Sequence, residues 1–78
     1  NFSMDIWFVR TSDWAYIRPA SIHGMLWLQT HFENSHWETL ALGNAKLPIK
    51  DAESLEKDAS QAGLILNSVK SLVSSSNF

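Results

Sequence analysis

The run Asp5-Ile-Trp-Phe-Val-Arg-Thr11 restricts the fold more than any other stretch of this chain. Its β-branched and aromatic residues predict a strand, and a strand sends successive side chains to opposite faces. Ile6 and Phe8 then share one face and Trp7 and Val9 the other, so both faces are apolar and both call for cover. A chain of 78 residues has room for one domain, and a domain of this size buries only about 60% of its unfolded surface. Covering both faces of a sheet from within is therefore difficult. Large side chains offset the thin core, and the chain carries four tryptophans and four phenylalanines.

Composition narrows the class. With 45% apolar and 18% charged residues the chain is too apolar for disorder. The absence of cysteine excludes a disulfide framework and cysteine-ligated zinc, and it fits a reducing, cytoplasmic compartment. The net charge of −2 carries no partner signal, and Arg10, Arg18, Lys46, Lys50, Lys57 and Lys70 are scattered rather than clustered. A surface that tracks phosphates concentrates its cations, so no nucleic acid is expected. No apolar run approaches the roughly 18–20 residues that span a bilayer, so no membrane is expected either. Asn1-Phe2-Ser3 ahead of Met4 reads as a cloning remnant, which puts a single domain at residues 4–73.

Trp14-Ala-Tyr-Ile-Arg18 forms a second extended stretch or a lead-in, ended by Pro19. A first helix begins around Pro19 to Ser21, where Pro19 suits the first turn and Ser21 is an alternative N-cap. Its periodicity puts Ile22, Met25, Leu26, Leu28 and Phe32 on one arc and His23, Trp27 and His31 on the other. Gly24 costs this helix up to about 1 kcal/mol relative to alanine, which a close backbone approach explains. Glu33 to His36 is a loop, Trp37 to Leu42 a strand, Gly43-Asn44 a turn, and Lys46 to Ile49 a short edge strand holding Pro48. The second helix starts at Asp51 as N-cap, with Glu53 and Lys57 as an i, i+4 pair. Ala52, Leu55, Ala59 and Ala62 form its narrow inner stripe, and Gly63 with Leu64 suits a Schellman end. Leu64 to Val69 reads as the last strand, and the tail 74–78 as frayed.

These elements describe an α+β two-layer sandwich: a three- to four-stranded, mostly antiparallel sheet with two helices on one face. If Leu40–Leu42 and Leu47–Ile49 pair as a hairpin, and residues 14–18 are only a lead-in, the order is ferredoxin-like βαββαβ. The stretch Pro19 to Leu66 has a proline before a helix carrying Trp27-Leu28, a tryptophan-containing loop, and an acidic helix ending Ala62-Gly63-Leu64. In these features it resembles short uncharacterised bacterial proteins carried on phages, plasmids and gene cassettes. That resemblance implies no activity.

The densest chemical cluster is His31-Phe-Glu33-Asn-Ser-His36-Trp-Glu38. Two imidazoles and two carboxylates in eight residues have the donor types for a divalent ion. They equally describe a polar loop, and neither the Cys-x-x-Cys pair of zinc deaminases nor a His-Glu-x-x-His helix is present. No metal site is expected; His31, Glu33, His36 and Glu38 are its candidates if one exists. His23, Trp27 and His31 make either a recognition stripe or, through Trp27, a cover for the core. No Gly-x-Ser-x-Gly elbow exists, and the glycines are too isolated for a phosphate loop, so no catalytic site, no enzyme and no cofactor are expected. Trp7, Trp14 and Tyr16 lie near Arg10 and Arg18, but without the motifs of RNA-binding sheets.

What remains is a small protein-interaction module, a homo-oligomer or a binder of another protein, using the aromatic sheet face. Trp7, Val9, Trp14, His23 and Trp27 are the interface candidates. The alternative is a small-molecule binder with an aromatic-lined pocket between subunits, or between the sheet and the first helix. Whether Trp7, Trp14 and Trp27 line a concavity or a flat face discriminates the two.

Overall fold

The computed structural model describes residues 4–70; the expectations for residues 1–3 and 74–78 lie outside the described residues. The aromatic-rich first segment forms strand β1 (Ile6–Arg10). It lies inside a four-stranded sheet of order β3-β2-β1-β4. β2 (Trp14–Pro19) runs antiparallel beside it and β4 (Leu66–Lys70) runs parallel on its other side. β3 (Ala45–Pro48) pairs antiparallel with β2 and forms an edge, where a proline costs no ladder bond. Thr11 closes the tight β1–β2 connection: its N–H donates to the Trp14 carbonyl at 2.7 Å, and its hydroxyl oxygen accepts the Trp14 N–H at 3.1 Å.

Three helices cover one face: α1 (Ile22–Gln29), α2 (Trp37–Ala41) and α3 (Ile49–Gln61). Ile6, Phe8, Ala15 and Ile17 point into this layer and are completely buried with Leu28, Leu40 and Ala59. The α+β two-layer architecture is thus the one expected, with four strands and one more helix than the two anticipated. No helix among the described residues is long and apolar enough to cross a membrane.

The additional helix replaces the strand expected at Trp37–Leu42. In so short a run, Trp37, Leu40 and Ala41 fit a helical stripe as well as an extended alternation. Gly43 decides the matter, because its φ of +77° lets the helix close as a Schellman motif. Gly43 N–H donates to the Leu40 carbonyl at 3.0 Å and Asn44 N–H to the Thr39 carbonyl at 2.9 Å. With no strand at 40–42, the expected hairpin with 47–49 cannot form. β3 pairs with β2 instead, and the order is ββααβαβ rather than ferredoxin-like.

Of the two starts the sequence allowed, α1 takes the Ser21 cap, but it turns a different face inward. Gly24 and Leu28 are buried, with Met25 and Trp27 packed beside them, whereas Ile22 and Leu26 are 81% and 57% exposed. The cause is contact with β1: a Cβ on Gly24 would stand 2.0 Å from the Asp5 carbonyl oxygen. The close backbone approach expected at Gly24 is therefore real, and it sets the helix phase. α3 begins two residues before Asp51, after Pro48 at the N-cap, and Asp51 lies in the first turn. Ala52, Leu55 and Ala59 face the core, while Ala62 at the C-cap is exposed. The closing bonds run from Gly63 N–H to Ser60 and from Leu64 N–H to Ala59, and Leu64 is buried as a Schellman contact requires. Glu53 pairs with Arg10 of β1 at 2.8 Å. Both groups are solvated, so this pair contributes little.

Candidate functional site

Strand register defines the face turned away from the helices. Trp7 stands opposite Arg18 on β2 and Asn67 on β4. Val9 stands opposite Tyr16 and Val69, Tyr16 opposite Lys46, and Trp14 opposite Pro48. Period-two alternation puts all of these on one side of the sheet. Trp14 and Tyr16 are exposed, and Trp7, Val9 and Val69 are half-buried. None of these five side chains belongs to the core cluster or packs against it. The cations Arg18 and Lys46 are exposed on the same face, with the Lys46 ammonium 4.8 Å from the centre of the Trp14 ring. Arg10 points to the opposite side and reaches Glu53. Among the described residues of this outer face there is no carboxylate.

The candidates on α1 lie in the other layer. His23 is exposed. Trp27 is half-buried against the core and stacks on His31, with ring centres 3.9 Å apart and planes tilted by 30°. His31 Nδ1 is within 3.1 Å of the Trp27 carbonyl and 2.9 Å of the Thr30 hydroxyl. Trp27 thus completes the core, and Trp7, Trp14 and Trp27 share no concavity.

A groove of about 490 Å³ runs between β3 and the α1–α2 connection. It gathers three of the four metal candidates, His31, Glu33 and His36, while Glu38 does not line it. Among the described residues no three His, Asp or Glu side chains are placed to hold a metal ion together. The groove's apolar surface comes from Phe32, Ala45 and Leu47.

Sequence patterns gave no hint of Asp5, which is buried at the entry to β1. Its Oδ2 accepts the Ile65 N–H at 2.9 Å and its Oδ1 accepts the Ser21 hydroxyl at 2.6 Å. The Ile65 N–H, then the Ser21 hydroxyl, hold its carboxyl below the usual range; burial opposes them and the charge of His23 assists. The bonds that lower it are all internal, which makes Asp5 a brace between segments rather than a reactive group. Its partners lie 16 and 60 positions away, beyond the reach of any local spacing rule.

No curated protein and no solved structure matches the chain. The family model for the cyanobacterial NIF11-like domain matches residues 7–71, more than four-fifths of the length. The match spans all three helices, the groove and the sheet apart from Ile6, and it agrees with the bacterial origin implied by the Pro19–Leu66 resemblance. By that coverage the chain belongs to the cyanobacterial NIF11-like domain family.

Proposed function

We propose that this domain is a protein-interaction module that self-associates through the outer face of its sheet. One observation carries the reading: Trp7, Val9, Trp14, Tyr16 and Val69 share the side of the sheet opposite the core. Surfaces of this kind mark contact sites. A second copy fits because the face complements itself. It carries both aromatic rings and the cations Arg18 and Lys46, and within one chain Lys46 already sits over Trp14. A facing copy presents further rings to the same cations.

Strand spacing and rise give four strands of four to six residues a footprint of roughly 20 by 17 Å. That is under half of the ~800 Å² each partner buries in a standard interface. The association is therefore weak and concentration-dependent. The small-ligand alternative has less support, since among the described residues lining the groove Phe32 is the one Phe, Trp or Tyr. A cytoplasmic setting goes with this reading, as a chain without cysteine suits a reducing compartment.

Sedimentation velocity over a micromolar-to-millimolar series tests the proposal. The wild type should shift toward the dimer mass. Trp7→Glu and Trp14→Glu should remain monomeric with unchanged far-UV circular dichroism. A wild type that stays monomeric throughout overturns the reading, as does a dimer indifferent to both substitutions.

A further inference from the structure

The groove beside β3 touches Ala45, Lys46 and Leu47 in succession. Successive side chains of a strand face opposite ways, so a groove lined by three in a row lies along the strand's edge. β3 is an edge of the sheet, and the hydrogen-bond pattern fixes which of its backbone groups point outward. Ile49 N–H donates to the Asp13 carbonyl at 3.0 Å, one step beyond the Trp14–Pro48 pair in the same register. Bonded and non-bonded pairs alternate in an antiparallel ladder. Ala15–Leu47 and Ile17–Ala45 are therefore bonded, and Tyr16–Lys46 is not. The β1 side agrees, since Thr11 N–H donates to Trp14, turning Trp14 and Tyr16 toward β1. Lys46 thus directs its N–H and C=O away from the sheet, and neither has a backbone partner among the described residues.

We infer that this groove binds an extended peptide of another protein, which adds antiparallel to β3 as a fifth strand and carries the pattern apolar–acidic–apolar. Paired backbone donor and acceptor on one edge residue are what an added strand satisfies. The peptide residue opposite Lys46 exchanges both hydrogen bonds with it and projects onto the same outer face. That face holds Lys46 and Arg18 and no carboxylate among the described residues, so an acidic side chain complements it. The two flanking residues project to the other side, where Ala45, Leu47 and Phe32 offer apolar contact. Pro48 has no N–H and Asn44 N–H is bonded to Thr39, so a short segment centred on Lys46 is selected. This inference rests on the backbone of the sheet's edge, not on self-association, although the two readings share the cations Lys46 and Arg18.

The test uses an end-capped synthetic heptapeptide with Ile-Glu-Ile at its centre, followed by amide NMR. Saturable binding should shift the Lys46 amide most and slow its hydrogen exchange. Methylating the peptide nitrogen of the central Glu, which leaves the protein untouched, should weaken binding about tenfold or more, because the Lys46 carbonyl loses its donor. Lys46→Pro should weaken it similarly with the β2–β3 pairing intact, and an Ile-Lys-Ile peptide should bind less well than Ile-Glu-Ile. No saturable binding up to millimolar peptide overturns the inference. So does indifference to N-methylation, a shift map centred on Trp7 and Tyr16, or equally tight binding of a free branched-chain carboxylate, which would assign the groove to small molecules.

Discussion

The Ser21 hydroxyl donates to Asp5 Oδ1 across 2.6 Å while accepting the Gly24 N–H at 2.9 Å. One side chain thereby caps α1 and ties it to the entry of β1, and Asp5 extends the link to Ile65 ahead of β4. Ser21→Ala should be costly for two separate reasons. Losing an N-cap costs about 1 kcal/mol. Stripping a buried carboxylate oxygen of its donor adds about 1–3 kcal/mol. Urea unfolding should show a loss of roughly 2–4 kcal/mol, largely restored in Ser21→Thr; a loss no larger than that of an ordinary surface change would show the brace to be idle.

The same carboxylate sets a pH dependence. The Ile65 N–H and the Ser21 hydroxyl favour the charged form of Asp5 in the folded state. The unfolded chain then binds the proton more readily, so the stability from Asp5 is present above the ordinary carboxylate range, near about pH 4, and is lost as the pH falls through the lower folded value. Urea midpoints followed from about pH 6 to about pH 2 should fall more steeply for the wild type than for Asp5→Asn. Parallel curves for the two proteins would remove Asp5 from the account.

On α3, Leu55 is the large side chain between Ala52 and Ala59 on the buried stripe. Leu55→Ala should cost about 2–5 kcal/mol. Glu56→Ala, one position around the helix, should cost well under half of that. Equal urea midpoints would mean that α3 lies on the sheet by another face.

Several elements were legible because local chemistry decides them. β1 announces itself through β-branched and aromatic alternation, and the end of α3 through Gly63 and Leu64. Other features depend on partners distant in sequence. Nothing near Ile22 or Leu26 says that Asp5 will press its carbonyl against Gly24 and rotate both out of the core. Trp37–Ala41 is too short for its period to be read, so Gly43 alone marked its end, and that glycine fits a hairpin turn as well as a helix end. The shared face of Trp7 and Val9 followed from strand alternation, whereas that of Trp14 did not, because residues 14–18 could equally be read as a lead-in. His31, Glu33 and His36 do line one groove, but spacing could not say whether their lone pairs converge; among the described residues no three such side chains do. The groove itself was hidden, although the edge position of β3 was legible from Pro48, because it forms only where the α1–α2 connection folds back beside that strand.

Gly24→Ala sets two effects in direct opposition. In the interior of a helix, alanine is favoured over glycine by about 1 kcal/mol. Here the new Cβ would lie 2.0 Å from the Asp5 carbonyl oxygen, 2.8 Å from its carbonyl carbon and 3.2 Å from Ile6 Cγ1. Two of these three atoms are backbone at the entry to β1 and cannot swing aside as a side chain can. Relief requires α1 to retreat by over an ångström, which stretches the Ser21–Asp5 bond and loosens the packing of Leu28. Overpacking of this kind costs about 1–3 kcal/mol, and the loss of Asp5's donor adds to it. Sterics should outweigh propensity, so Gly24→Ala should lower the urea midpoint. A raised midpoint would mean that α1 does not approach Asp5 closely in solution, and the inward placement of Gly24 and Leu28 would have to be abandoned.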